Sequence, residues 1–194
     1  MNASLPQRLD RALARLGANL LIPPLILLIP WGQELIDQLL FAGRWNLPMT
    51  PGGSWIGVLT APFSHGGFGH LLGNSLMFVP LSWLVLAKGR RDYMAVWLGV
   101  YALAIPVWLF WPIGSHGLSG VIYGLLGYLL LIGWLEKRPW SLLLSLICLV
   151  SYGGLLPSLV PILSAPGISW IGHVSGFCGG LLAAWAVHRE PSEA

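Results

Sequence analysis

The chain has 194 residues, of which 56% are hydrophobic and 9% charged, with 11 tryptophans and a mean hydropathy of +0.74. This composition excludes an ordinary soluble globular domain and marks an integral membrane protein. The formal net charge of +3 does not point to nucleic acid, because the basic residues are distributed as membrane topology requires.

Residues 5–16 place Leu5, Leu9, Leu13 and Leu16 on one helical face and Arg8, Arg11 and Arg15 towards another, so residues 1–15 read as a basic amphipathic segment on the membrane surface. The apolar run Leu16 to Trp31 follows, with a kink expected at Pro23-Pro24. No small-x-small cleavage site follows it and more apolar segments come after, so it reads as a retained first span rather than a signal peptide. Residues 32–68 are interrupted by Glu34, Asp37 and Arg44 and broken by Pro48, Pro51, Gly52 and Gly53, yet they are rich in Trp, Leu and Phe. A large, half-immersed outer loop is expected there.

Five further apolar segments lie at about 69–87, 94–111, 118–135, 140–160 and 168–187, each near the roughly 20 residues that a membrane-crossing helix needs. The fold class is therefore all-α, with six transmembrane helices occupying residues 16–188 and a short tail at 189–194. Cys148 and Cys178 fall inside these runs without CxxC or Cys/His spacing and read as packing residues. Of the ten Lys and Arg residues, only Arg44 lies on the outer side of this arrangement; Lys88, Arg90, Arg91, Lys137, Arg138 and Arg189 join the amino-terminal arginines on the other. The positive-inside rule then puts both termini in the cytoplasm, and a prokaryotic inner membrane is the expected location.

These basic anchors give a depth scale. Ser119 precedes Lys137 by 18 residues and His173 precedes Arg189 by 16, or ~27 and ~24 Å at the helical rise. Asn74 and His70 precede Lys88 by 14 and 18 residues, or ~21 and ~27 Å. The four polar side chains share one layer in the outer part of the bilayer, where an unpaired imidazole or amide is costly and function is the default explanation.

The residue types at that layer suit acyl transfer. A serine hydroxyl needs a base to take its proton, and Ser119 with His173 supplies the pair. Close approach of their spans is favoured by Gly120 and Gly124 on one and Gly172, Gly176 and Gly180 on the other. With no acidic residue expected in the spans at this depth, the catalytic unit reads as a dyad. Tyr123, one turn after Ser119, can buttress the imidazole. His70 and Asn74, at i and i+4, can both donate to an oxyanion, joined by the Ser119 backbone N–H at the helix start. His65 reads as a brace for the preceding loop, and His116 and His188 as span-end groups. A zinc site from His65, His70 and His173 is opposed by the lack of an HExxH pattern, so neither metal nor cofactor is expected.

In these residues the chain resembles the rhomboid intramembrane serine proteases. The resemblance is carried by His65-x4-His70-x3-Asn74, by Gly117-x-Ser119-Gly120-x2-Tyr123 and by Gly172-His173-x2-Gly176, and it covers residues 16–188. It implies Ser119 as nucleophile, His173 as general base and then acid, and His70 and Asn74 as oxyanion donors. It also implies, as substrates, membrane proteins cut in a transmembrane segment near its outer end. At the place of a Trp-Arg pair that many members carry in the first loop stands Ile56-Gly57, preceded by Trp55. The compact chain is also similar to the rhombosortase branch, which trims carboxy-terminal anchors. Two further readings are a non-catalytic rhomboid-like protein that binds membrane clients, against which both Ser119 and His173 stand, and a transporter, against which the lack of an inverted repeat stands. Access for a substrate helix is expected between spans two and five, under a cap formed by Pro161, Pro166 and Gly167.

Overall fold

The computed structural model describes residues 5–165 and 167–189. Its helices, in chain order, are α1 (Leu5–Ile36), α2 (Ile56–Thr60), α3 (Phe68–Lys88), α4 (Arg90–Phe110), α5 (Ser119–Glu136), α6 (Pro139–Tyr152) and α7 (Trp170–His188). Among the described residues six helical stretches are long and apolar enough to cross a membrane: Leu16–Phe41, Phe68–Lys88, Arg90–Phe110, Ser119–Glu136, Pro139–Leu159 and Trp170–His188. The protein is a multi-pass, all-helical membrane protein. Residues 1–4, 190–194 and Pro166 lie outside the described residues, and with them most of the expected tail and part of the expected cap.

The first span departs from the sequence expectation. Residues 5–15 are continuous with it in α1, with no separate surface helix, and α1 runs through Pro23, Pro24 and Pro30 to Ile36 before a π turn, Asp37–Phe41. The outer loop therefore begins after Phe41, not at residue 32. The physical reason is that the polar residues which interrupt the apolar run are turned into the protein. Glu34 and Asp37 are fully buried. Gln38 Nε2 donates to Glu34 Oε1 at 2.8 Å, the Trp45 N–H donates to Asp37 Oδ1 at 2.6 Å, and Gln33 Nε2 donates to the Trp45 carbonyl at 2.7 Å. A chain reversal at Ala42 and Gly43, both with positive φ, ends the helix.

α5 is the central helix. Of its residues 61% are buried, against 11% in the stretch Pro139–Leu159, and a helix apolar on every side belongs inside a bundle. Its main partner is α7, which also packs on α4. Both crossings are made by glycine. A Cβ on Gly176 would overlap the Gly120 carbonyl and one on Gly180 the Gly124 carbonyl, while Gly99 of α4 faces Gly179 in the same way. Such contact brings backbones together where lipid gives no hydrophobic drive for helix association. α6 is peripheral, held on α5 by Ser145, whose Oγ donates to the Leu129 carbonyl at 2.6 Å and accepts from the Gly133 N–H at 3.1 Å.

The helix ends rich in basic residues gather at one end of the bundle. Lys88 Nζ lies 2.6 Å from Glu136 Oε2, and Ser141 donates to the same carboxylate. Asp92 accepts from the Tyr128 hydroxyl and lies 2.7 Å from His188 Nε2. His188, expected as a solvated end group, thus belongs to a network that ties α4, α5 and α7. Asp92 also lies in the first turn of α4 and Lys88 in the last turn of α3, signs that suit the helix dipoles.

Candidate active site

At the other end of the bundle the starts of α3, α5 and α7 meet. Gly117, with φ +104, turns the chain into α5, and Ser119 occupies its first helical position, where a backbone N–H has no acceptor within the helix. Ser119 Oγ lies 3.1 Å from His173 Nε2. The glycine crossing of α5 and α7 just described sets this approach, since His173 stands one turn before Gly176 and Ser119 directly before Gly120. His173 is buried, and the Tyr123 ring stacks on its imidazole at a centroid distance of 4.2 Å and an angle of 19°.

His70 and Asn74, one turn apart on α3, reach the same place from the opposite side. A Cβ on Gly117 would lie 3.0 Å from His70 Cε1 and 3.3 Å from Asn74 Nδ2. Gly117 is required here twice, by its positive φ and by this close approach. The Asn74 amide nitrogen is buried and has no hydrogen-bond partner among the described residues. His70, Asn74, Ser119, Tyr123 and His173 line one cavity of about 420 Å³.

The outer loop holds this end in register. Met49 and Ser115 exchange backbone hydrogen bonds of 2.9 and 3.0 Å, and the Gly117 N–H donates to the Ala61 carbonyl at 2.8 Å. His65 is fully buried and its Nε2 accepts from the Leu118 N–H at 3.2 Å, so it fastens the loop to the residue before Ser119. Burial, with the His70 and His116 imidazoles nearby, lowers the His65 pKa to about 3, in keeping with an imidazole that must accept.

Three residues at the site escape the sequence reading. His116, expected as an interfacial group, lines the cavity with its ring 6.1 Å from that of His70. Burial foremost, and His70 next, lowers its pKa, while Glu34 acts in the opposite sense. Glu34 corrects the expectation of no acid at this level: it belongs to α1, not to a loop, and is fully buried. Ser158, in the 3₁₀ turn Gly153–Leu159 that follows α6, lies with its Oγ 3.1 Å from His173 Nδ1. A serine in a Leu- and Pro-rich stretch carries no motif that would single it out. Among the described residues no group of three or more His, Cys, Asp or Glu side chains is arranged to hold a metal ion.

A profile of the rhomboid domain matches residues 52–190, which spans five of the six membrane helices and both halves of the Ser119–His173 pair. The chain belongs to the rhomboid family. An uncharacterized protein of Mycobacterium tuberculosis is 33% identical to this rhomboid over 174 residues, covering 83% of this chain and 72% of the relative. An uncharacterized protein of Mycobacterium bovis matches to the same extent. A protein of Acanthamoeba polyphaga mimivirus whose name places it among rhomboids is 30% identical over 135 residues, covering 66% of this chain and 72% of the relative.

Proposed function

We propose that this rhomboid is an intramembrane serine endopeptidase that cleaves transmembrane segments of other membrane proteins near their outer ends. The observation that carries the reading is the 3.1 Å pairing of Ser119 Oγ with His173 Nε2 in a cavity that also receives His70 and Asn74. A lone intramembrane serine usually bonds its own helix backbone; here it meets a base from another helix.

In this mechanism a substrate helix enters sideways between α3 and α6 and frays into an extended strand. The Ser119 oxygen attacks the scissile carbonyl carbon while its proton passes to His173 Nε2. The carbonyl electrons move to oxygen, where His70, Asn74 and the Ser119 N–H donate to the developing charge. Collapse of the intermediate expels the amine, which takes the proton from His173, and water from the outer side hydrolyses the acyl-enzyme by the same steps in reverse roles. The distribution of Lys and Arg supports an orientation with this site towards the outer face, and the reading takes the membrane to be a prokaryotic inner membrane.

The test needs no known substrate: a fluorescent fluorophosphonate applied to native membranes containing the wild type, Ser119→Ala or His173→Ala. Labelling of the wild type alone supports the protease. A correctly inserted wild type that stays unlabelled, beside a rhomboid that labels, favours a client-binding role without catalysis.

A further inference from the structure

His173 uses one ring nitrogen towards Ser119, and the other faces a hydroxyl. Ser158 Oγ is 3.1 Å from His173 Nδ1. The same Oγ donates to the Leu155 carbonyl at 2.9 Å and contacts the Tyr123 hydroxyl, which also donates to the Leu155 carbonyl, at 2.8 Å. Ser164 Oγ donates to the Ser158 carbonyl at 2.8 Å and so fixes the turn from behind.

A count of protons gives this arrangement a direction. A hydroxyl has one proton and two lone pairs. With the Ser158 proton on the Leu155 carbonyl, one Ser158 lone pair accepts from the Tyr123 hydroxyl and the other faces His173. Nδ1 must then carry hydrogen, which leaves the Nε2 lone pair towards Ser119, because the partner of one imidazole nitrogen sets the state of the other. When Nε2 takes the Ser119 proton, both nitrogens carry hydrogen and the ring is charged. Its Nδ1–H then needs an acceptor, since an unpaired buried donor on a cation is costly. Ser158 Oγ is already in place, with no dipole left to turn. The opposite arrangement, Ser158 donating to Nδ1, would put hydrogen on Nε2 and disarm the base.

We propose that Ser158 is a positioning residue for His173, so that the working unit is Ser119, His173 and Ser158 rather than a dyad. The inference rests on the reading of Ser119 as nucleophile. It also links catalysis to access, because Ser158, Leu155 and Gly154 all line the cavity: whatever displaces this turn also removes the acceptor from the base.

The test uses the full chain in detergent micelles and compares wild type, Ser158→Ala, Ser158→Thr and Ser119→Ala. Three quantities are read: the rate of fluorophosphonate labelling, the thermal midpoint, and the ¹⁵N-histidine NMR signals, with those of His173 identified by their loss in His173→Gln. Ser158→Ala should label about tenfold more slowly, the effect of one modest hydrogen bond on a barrier, and Ser158→Thr should recover most of the rate. The His173 signals should report the Nδ1–H tautomer in wild type and a mixture in Ser158→Ala, with the melting point little changed. Wild-type labelling by Ser158→Ala, or equal loss in Ala and Thr variants with a lowered melting point, would overturn the proposal. If the wild type does not label, the protease reading fails, and the tautomer signal alone then decides whether Ser158 sets the protonation of His173.

Discussion

Gly176 of α7 lies directly against the Gly120 carbonyl of α5, with no room for a Cβ between them. The contact is next in sequence to Ser119 and one turn from His173, so the spacing of two backbones sets the length of the Ser119–His173 hydrogen bond. Gly176→Ala must push the helices apart or bend them. Overpacking of this kind costs about 1–3 kcal/mol, and the Ser119–His173 bond lies at the point of displacement. The expected outcome is a lower thermal midpoint together with lost fluorophosphonate labelling. Gly180→Ala, one turn further on, should lower the midpoint while labelling falls less; equal labelling loss in the two variants would show that distance from the dyad does not matter.

Gly117→Ala tests the approach of α3 separately from the helix crossing. The substitution puts an L residue at φ +104 and a methyl group 3.0 Å from His70 Cε1. Backbone strain of about 1–3 kcal/mol is expected, with His70 and Asn74 driven away from the oxyanion position proposed for them. Losing a single oxyanion donor costs on the order of 10²–10³ in rate, so labelling should fall by at least that range while the protein remains helical by circular dichroism. A fall below tenfold in a folded variant would remove His70 and Asn74 from the oxyanion role.

What was legible in the sequence follows from which residues carry position information. Lys88, Lys137 and Arg189 mark one face of the membrane, so Ser119, His173, His70 and Asn74 could be set in a single layer by counting residues. Gly176 and Gly180 announce their contact because only glycine permits it. Glu34 and Asp37 misled, since a charged residue that interrupts an apolar run looks the same whether it faces solvent in a loop or the protein interior in a helix. Ser158 was invisible for another reason: a serine in a Leu- and Pro-rich stretch carries no motif, and its importance arises only from contact with His173.

His65 gives the protein a pH-dependent stability with a definite sign. Its folded-state pKa is lowered to about 3, whereas an unfolded histidine titrates near ~6.5. The unfolded chain therefore binds more protons between these values, and stability is full above the unfolded pKa and lost as pH falls through that window. The slope for one such group approaches ~1.4 kcal/mol per pH unit. Thermal midpoints between pH 7.5 and 4.5 should fall more steeply for the wild type than for His65→Gln, whose amide has no such titration. Parallel curves would show that His65 does not carry the dependence.

At the basic end, Asp92 joins Tyr128 and His188 far from the cavity. Asp92→Ala leaves the hydroxyl and the imidazole facing each other inside the bundle without their shared acceptor. Loss of a buried charged partner costs about 2–4 kcal/mol, so the thermal midpoint should drop clearly. Because Asp92 stands in the first turn of α4, at the end of the bundle away from the cavity, the initial labelling rate at a temperature well below the midpoint should stay within about twofold of wild type, less than ~0.5 kcal/mol in barrier. A tenfold slower rate at that temperature would mean that the two ends of the bundle are coupled.

Lateral access between α3 and α6 makes the last prediction. Met77 of α3 and Leu155 of the turn after α6 both line the cavity, and they stand on the two walls of the proposed route for a substrate helix. α6 is the least buried of the spans and rests mainly on α5, so it is the wall able to move. With Cys148 and Cys178 replaced by alanine, a short bifunctional crosslinker joining Met77→Cys to Leu155→Cys should abolish cleavage of a transmembrane substrate. Labelling by a small fluorophosphonate, which needs only water-side access, should persist. Cleavage that continues after complete crosslinking would place the access route elsewhere, and loss of both activities would mean that the link distorts His173 rather than closing a gate.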